Sequence, residues 1–148
     1  MLRHDDGTIF ACSQTSYIDK IGEHPESRIY VSVQFDTLPK TFAVLDTGAP
    51  WCILNKEQAI ELNPNYKDEA IDTKCLNIRG EKTGGVLIRL PVRICAEQGE
   101  DIIIEGTVFV PQDERNLPNF IGLDGFLSRI KFAINPQSNI FYFGPIAQ

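Results

Sequence analysis

Hydrophobic and polar positions alternate in short blocks along this chain, and clusters of Gly, Pro, Asn and Asp separate the blocks. That punctuation predicts an all-β domain of brief strands, each ended by its own turn chemistry. Ile29, Val31, Val33 and Phe35 alternate with Tyr30, Ser32 and Gln34, the period of a strand with one buried face. After the turn 36–40 comes Thr41-Phe42-Ala43-Val44-Leu45, almost continuously apolar, which predicts a strand buried on both faces. Trp51-Cys52-Ile53-Leu54 reads as another short strand. Asn55, answered by Gln58, matches a capping box, so a helix is expected to start there and to end near Leu62, before Asn63-Pro64.

The second half continues the pattern. Strands are expected near 74–79, 86–94 and 102–110, with turns at Gly80-Glu81-Lys82-Thr83-Gly84-Gly85 and Glu97-Gln98-Gly99-Glu100. Phe120-Ile121-Gly122 precedes a short helix around 124–129, with Asp124 expected as its N-cap or a structural acid rather than a catalytic one. Two last strands, 131–134 and 140–143, are joined by the turn Asn135-Pro136-Gln137-Ser138-Asn139. Residues 1–27 are the least regular: a strand near 8–12, then a loop at Glu23-His24-Pro25-Glu26-Ser27. The organisation expected is an N-terminal extension, 1–27, followed by one β domain, 28–148.

Composition narrows the function classes. With 148 residues, 43% hydrophobic and 23% charged, the chain holds enough apolar material for one real core. The net charge of −6 is spread out and contains no basic block, which disfavours nucleic acid and anionic membrane as partners. No apolar run approaches the roughly 18 residues that span a bilayer. Met1 to Gly7 is polar and lacks the apolar core of a secretory signal, so a cytoplasmic protein is expected. Cys12, Cys52, Cys75 and Cys95 are scattered, which favours small buried thiols over a disulfide or metal framework. His4 and His24 are too few to suggest a zinc site. No metal and no cofactor is expected.

The chemistry concentrates in Phe42-Ala43-Val44-Leu45-Asp46-Thr47-Gly48-Ala49. An acid directly after four apolar residues is expensive to bury unless its surroundings compensate. Gly48 allows close backbone approach, and Thr47 offers a β-branched fit together with a hydroxyl to tie the turn. Asp36-Thr37 and Asp72-Thr73 serve as internal controls. They are followed by Leu38 and Lys74, and neither ends a buried strand.

Val44-Leu45-Asp46-Thr47-Gly48-Ala49 resembles the active-site loop of retropepsin-like aspartic proteases. These include retroviral proteases, the protease-like domain of ubiquitin shuttle proteins, and small bacterial relatives. Phe120-Ile121-Gly122-Leu123-Asp124-Gly125-Phe126-Leu127 resembles the hydrophobic-hydrophobic-Gly segment that passes behind that loop. Phe132 to Gly144 resembles the closing hairpin of a pepsin lobe. The resemblance spans roughly residues 29–146, and the two motifs in this order are more specific than either alone. It implies a single-lobe, closed β-barrel with a flap hairpin and one or two short helices. It also implies that Asp46 is the catalytic acid, with Thr47, Gly48 and Ala49 completing its loop and Phe120, Ile121 and Gly122 supporting it.

Two aspartates a few ångströms apart cannot both ionise, so they share a proton; the ionised one activates water while the other protonates the scissile carbonyl. This chain offers one such acid, so a second copy related by a two-fold axis is required. A homodimer cleaving polypeptide is the leading expectation. Residues 76–94 read as a hairpin with Gly80, Gly84 and Gly85 at its tip: either a flap over substrate, as the resemblance implies, or a plain surface turn. Trp51 either lines a substrate pocket or packs in the core.

The pattern also departs from the retroviral one. An Asp soon after the catalytic loop and an Arg after the second glycine are replaced here by Pro50-Trp51 and Leu123-Asp124. The dimer must therefore be braced differently, with residues 1–27 or the C-terminal hairpin as candidates. Two other functions compete: a catalytically silent dimer of this fold that binds a peptide or protein partner, and a monomeric regulatory domain whose carboxylate is structural.

Overall fold

The computed structural model describes residues 1–22, 28–114 and 117–146. The loop expected at Glu23-His24-Pro25-Glu26-Ser27 therefore lies outside the described residues. Among the described residues twelve strands follow in order: β1 (Leu2–Arg3), β2 (Ile9–Ala11), β3 (Ser13–Ser16), β4 (Tyr30–Phe35), β5 (Thr41–Leu45), β6 (Cys52–Ile53), β7 (Asp72–Ile78), β8 (Glu81–Ile94), β9 (Ile102–Pro111), β10 (Asn119–Ile121), β11 (Ile130–Asn135) and β12 (Ile140–Pro145). Helix α1 (Lys56–Leu62) follows β6, and two 3₁₀ turns occupy Tyr66–Glu69 and Leu127–Arg129. The all-β reading holds.

The main sheet runs β4-β5-β10-β6-β9-β8-β7, and β4 also pairs with β8. The sheet thus closes on itself, leaving β7 outside the ring on β8. Closure depends on the length of β8, which has 14 residues. Its first half pairs with β7, its last residues pair with β4 (Val33↔Ile94, Phe35↔Val92), and β9 follows it from Gly85 to Ile94. A ring of this kind removes the open edges at which sheets pair with other chains.

Two apolar clusters fill the fold. The larger contains Val31, Val33, Phe35, Leu54, Val92, Ile94, Phe126, Phe141 and Phe143; the smaller contains Tyr30, Val44, Ile53, Ile78, Leu87, Phe109 and Phe120. Tyr30, expected on the polar face of its strand, is buried because the smaller cluster covers that side. Phe42 goes the other way. Ala43 and Val44 are buried on opposite faces, but Phe42 is 43% exposed, because it lies opposite Ser32, beyond the reach of the smaller cluster. Each fully buried phenylalanine contributes about 2–3 kcal/mol of hydrophobic stabilisation, so most of the fold's stability resides in these clusters.

The N-terminal segment is built into the molecule. β3 pairs with β12 (Ser13↔Phe143, Thr15↔Phe141), making a second sheet in the order β11-β12-β3. The hydroxyl of Ser13 donates to the Glu100 carbonyl at 2.7 Å and accepts from its N–H at 3.1 Å, which satisfies a side chain that is almost wholly buried. The Glu97 carboxylate accepts from the backbone N–H and the hydroxyl of Ser16, each at 3.0 Å. Ala11 and Tyr17 are buried as well.

Helix α1 starts as expected: Asn55 Oδ1 accepts from the Gln58 N–H at 2.9 Å. The return half of the capping box is different. The Asn55 N–H donates to Asn119 Oδ1 at 3.1 Å, and Gln58 Oε1 takes Asn119 Nδ2 at 2.7 Å and Asn55 Nδ2 at 2.8 Å. A buried amide from β10 has intercepted the box and ties the helix to the strand beside it. Asp124 does not cap a helix. Residues 123–126 form turns, the 3₁₀ segment starts after Phe126, and no side chain caps it.

Cys52 and Cys95 are buried, Cys12 is half-buried and Cys75 is exposed; all four are free thiols. The buried-thiol reading therefore fails for Cys75, whose strand β7 has no neighbour on its outer side in the sheet. Among the described residues, no helix is long and apolar enough to cross a membrane.

Candidate active site

β5 and β10 run parallel and side by side, with Ala43↔Asn119, Val44↔Phe120 and Leu45↔Ile121 in register. The two sequence motifs are therefore neighbours in space. Where β5 ends, the chain turns through Asp46, Thr47 and Gly48. The Asp46 N–H donates to the Ile121 carbonyl at 3.0 Å, and the Ala49 N–H donates to the Asp46 carbonyl at 3.2 Å. The lacing continues as the Leu123 N–H reaches the Ala49 carbonyl at 2.8 Å and the Asp124 N–H reaches the Pro50 carbonyl at 2.7 Å. The loop is held along its whole length by the segment that follows β10.

Gly122 makes this possible. A Cβ there would collide with the Trp51 carbonyl and would stand 2.9 Å from the Cys52 nitrogen. Glycine at this position is a packing requirement. The Gly122 backbone N–H also points at the Cys52 sulfur. Burial pushes the Cys52 thiol up to about 12, and the Gly122 hydrogen bond offsets only part of that. Cys52 is thus a neutral packing residue, with none of the thiolate character that nucleophilic cysteines need.

Asp46 itself is half-buried, and Thr47 and Gly48 are exposed. One carboxylate oxygen, Oδ1, accepts from the Gly48 N–H at 2.9 Å. The Asp46 carboxylate thus ties the turn, a task expected of the Thr47 hydroxyl; Thr47 faces outward. The two control pairs behave differently. Asp36 sits in a tight turn at φ 49°, and Asp72 lies exposed on β7 beside Lys74. Neither lines the cleft that Asp46 faces.

Asp46 lines an open cleft of about 330 Å³. Its floor is apolar, made by Ala49, Ile53 and Phe120 from the core side and by Leu76 and Ile78 from β7; Arg28 and Arg79 complete its wall. Arg28 and Asp46 also line a shallower hollow beside it, with Ile29, Val44 and Leu45. The Arg28 guanidinium carbon stands 6.0 Å from the Phe120 ring centroid, the outer range of a cation–π contact. Trp51 does not line the cleft; it packs against the smaller apolar cluster. Among the described residues, no group of three or more His, Cys, Asp and Glu side chains gathers where a metal could be held.

The hairpin above the cleft differs from its sequence reading. Its turn is only Arg79-Gly80, both in the left-handed region at φ 52° and 82°, so that Ile78 pairs directly with Glu81. Glu81, Lys82, Thr83, Gly84 and Gly85 belong to the returning strand and pair with β7. Gly84 and Gly85 are thus not at the tip. A Cβ on Gly85 would strike the Val110 carbonyl and approach the Phe109 ring to 2.6 Å, so that glycine serves the β8–β9 crossing. Thr83, expected at an exposed tip, is 1% exposed, and its Oγ1 has no hydrogen-bond partner among the described residues. Arg28, Leu76, Ile78 and Arg79 were missed as cleft residues in the sequence. Only Arg79 carried a signal, being a non-glycine residue just before the turn glycine.

Compared by sequence, the chain matches no protein-family model and no curated protein. Compared by structure, it is similar to a retropepsin-like aspartic protease from Rickettsia conorii (TM-score 0.56, 20% identity), over 88% of this chain and 89% of that one. It is also similar to the retroviral protease-like domain of Ddi1 from Leishmania major (TM-score 0.54, 21% identity), over 82% of this chain and 97% of that one. The chain has the retropepsin-like fold.

Proposed function

We propose that this protein is an aspartic endopeptidase that works as a homodimer, each subunit contributing Asp46. The observation that carries the proposal is a half-buried carboxylate on a hydrogen-bonded loop, facing an open cleft with an apolar floor. A purely structural acid at the end of a buried strand would be sealed by partners. This one keeps a single backbone donor at Oδ1 and an open side toward solvent. The fold shared with a solved retropepsin-like aspartic protease and with a solved retroviral protease-like domain supports the reading.

The mechanism follows from the chemistry of paired carboxylates. With a second copy facing the exposed Thr47-Gly48 edge, the two Asp46 groups share one proton and titrate as a couple. The ionised member takes a proton from a water held between them as that water attacks the scissile carbonyl carbon. The protonated member donates to the carbonyl oxygen, giving a neutral tetrahedral diol. Proton transfer to the departing nitrogen then breaks the C–N bond. Gly48 N–H, fixed on Oδ1, holds the carboxylate plane through these steps. Substrate lies extended in the cleft beneath the Arg79-Gly80 hairpin, which acts as the flap and excludes water.

Hydrolysis of an unfolded protein at mildly acid pH, compared with Asp46→Asn, tests the activity. Subunit mixing tests the pairing: at equal amounts and free exchange, about one quarter of dimers keep both carboxylates, and activity drops accordingly. A statine-type transition-state mimic should titrate at one per two chains. A monomer that binds no such inhibitor and cleaves nothing would remove the proposal, and cleavage unaffected by Asp46→Asn would relocate the site.

A further inference from the structure

We infer that Thr83 is a built-in release for the hairpin over the cleft: its buried, unpaired hydroxyl weakens the hairpin's seat on the core and keeps a lifted form populated. The lifting is a property of the fold alone. Its use, to admit polypeptide to Asp46, rests on the peptidase reading above.

The hairpin reaches past the support of the ring. Among the described residues, β9 accompanies β8 from Gly85, opposite Pro111, onward, and one further bond from the Gln112 N–H to the Gly84 carbonyl (2.9 Å) ends that support. Beyond it, residues 76–83 are two strands paired with each other across the Arg79-Gly80 turn. What seats this end is its underside. Side chains opposite each other in an antiparallel pair share a face, so Thr83 lies on the face of its partner Leu76. Alternation along β8 puts Gly85 and Leu87 there too, and burial follows it: Thr83, Gly85 and Leu87 are buried, while Lys82 is exposed and Gly84 and Val86 are half-buried. Ile78 and Leu87 belong to the smaller apolar cluster, and Leu76 packs against it. Thr83 therefore brings a hydroxyl to a seat whose other buried side chains are apolar.

The energetics favour release. A hydroxyl taken from water without a replacement bond disfavours the state that buries it by about five- to a hundredfold. Lifting the hairpin returns the hydroxyl to water, so the penalty falls on the seated form. The bonds between β7 and β8 survive the motion, because both strands move together. Burial of Leu76 and Ile78 opposes it, which keeps the lifted form a minority. Valine has the shape of threonine with a methyl in place of the hydroxyl. At position 83 it removes the penalty and adds apolar contact.

The test is methyl relaxation dispersion on the intact chain, which reads minority states that exchange in microseconds to milliseconds. The Leu76 and Ile78 methyls should report a lifted form in the wild type, and the Val31, Val92 and Ile94 methyls of the larger cluster should not. Thr83→Val should lower the lifted population about tenfold and raise the urea midpoint. Thr83→Ser, which keeps the hydroxyl, should do neither. A statine-type mimic should associate more slowly with Thr83→Val by about the same factor, because entry waits on the lifted form. The population result with no inhibitor bound by either protein supports the release while removing the peptidase reading. The inference is overturned by an absence of dispersion at Leu76 and Ile78 in the wild type, or by dispersion shared with the larger cluster. An unchanged or larger lifted population in Thr83→Val overturns it, as does a lowered midpoint, since the hydroxyl would then be bonded. So does an equal fall in Thr83→Ser, or an inhibitor that binds Thr83→Val at the wild-type rate.

Discussion

The two walls of the cleft are built on opposite principles. The lower wall, the Asp46 loop, is laced by backbone hydrogen bonds to residues 121–124 and backed by both apolar clusters. The upper wall, the β7–β8 hairpin, hangs outside the closed ring. Among the described residues β7 pairs with β8 alone, and its residues are exposed except for Leu76 and Ile78. In the proposed peptidase, a carboxylate that holds a water in place needs a loop with no alternative conformation, whereas a cover that admits polypeptide needs few contacts to give up. The difference teaches that one sheet can supply both, provided the ring closes beneath the hairpin and leaves its last strand out.

The largest effect should come from attacking the lower wall. Gly122→Ala drives a methyl into the Trp51 carbonyl. It is expected to destabilise the fold by about 3 kcal/mol or more and to abolish hydrolysis together with it, as measured by urea unfolding and peptide cleavage. Wild-type stability in that variant would show that the two motifs are not pressed together as described. Next is Asn119→Ala, which removes the buried amide that bonds Asn55 and Gln58. About 2 kcal/mol should be lost, because the Asn55 N–H is left in the interior without its acceptor.

A smaller effect is expected above the cleft. Gly80→Ala puts a side chain at φ 82°, at an expected cost of about 1 kcal/mol. Because the hairpin opens by itself, hydrogen exchange should speed up at residues 74–83 while the amides of Asp46 and Ala49 keep their protection. Uniform acceleration would erase the distinction between the walls. The smallest effect concerns neither wall but the far β8–β9 turn. The Ala96 N–H at 2.7 Å, helped by Arg93, holds the Asp101 carboxyl below its ordinary value. A lowered folded-state value means the stabilisation is complete above the ordinary carboxylate range and fades as pH falls through the folded value. Asp101→Asn should therefore lower stability slightly near neutrality and flatten its decline in acid, with activity unchanged, as read from urea midpoints between pH 6 and pH 2.5 (about the range that spans the titration).

Much of this molecule was legible because its signals are local. Alternation over 31–35, the Asn55 cap and the hairpin at 135–139 each depend on residues within a few positions, and each appears where expected. The candidate active-site segment was legible for a related reason: an acid and a glycine at the end of an apolar strand are improbable neighbours without a task. The flap glycines were misread because glycine has two uses, turning and close packing, and only the Phe109 ring and the Val110 carbonyl across the strand reveal which applies at Gly85.

By itself, then, the sequence determined the strand periods, the all-β class and the identity of the candidate acid. These depend on side-chain polarity and spacing along one strand or turn. The tertiary structure alone decided that β8 closes the ring onto β4, that residues 13–16 join the C-terminal hairpin, and that Asn119 completes a helix cap 61 residues away from Gln58. It alone brought Arg28 and Arg79 to the same cleft as Asp46. Those contacts join residues far apart in the chain, where loop closure and packing volume choose the partner, and no short-range pattern encodes that choice.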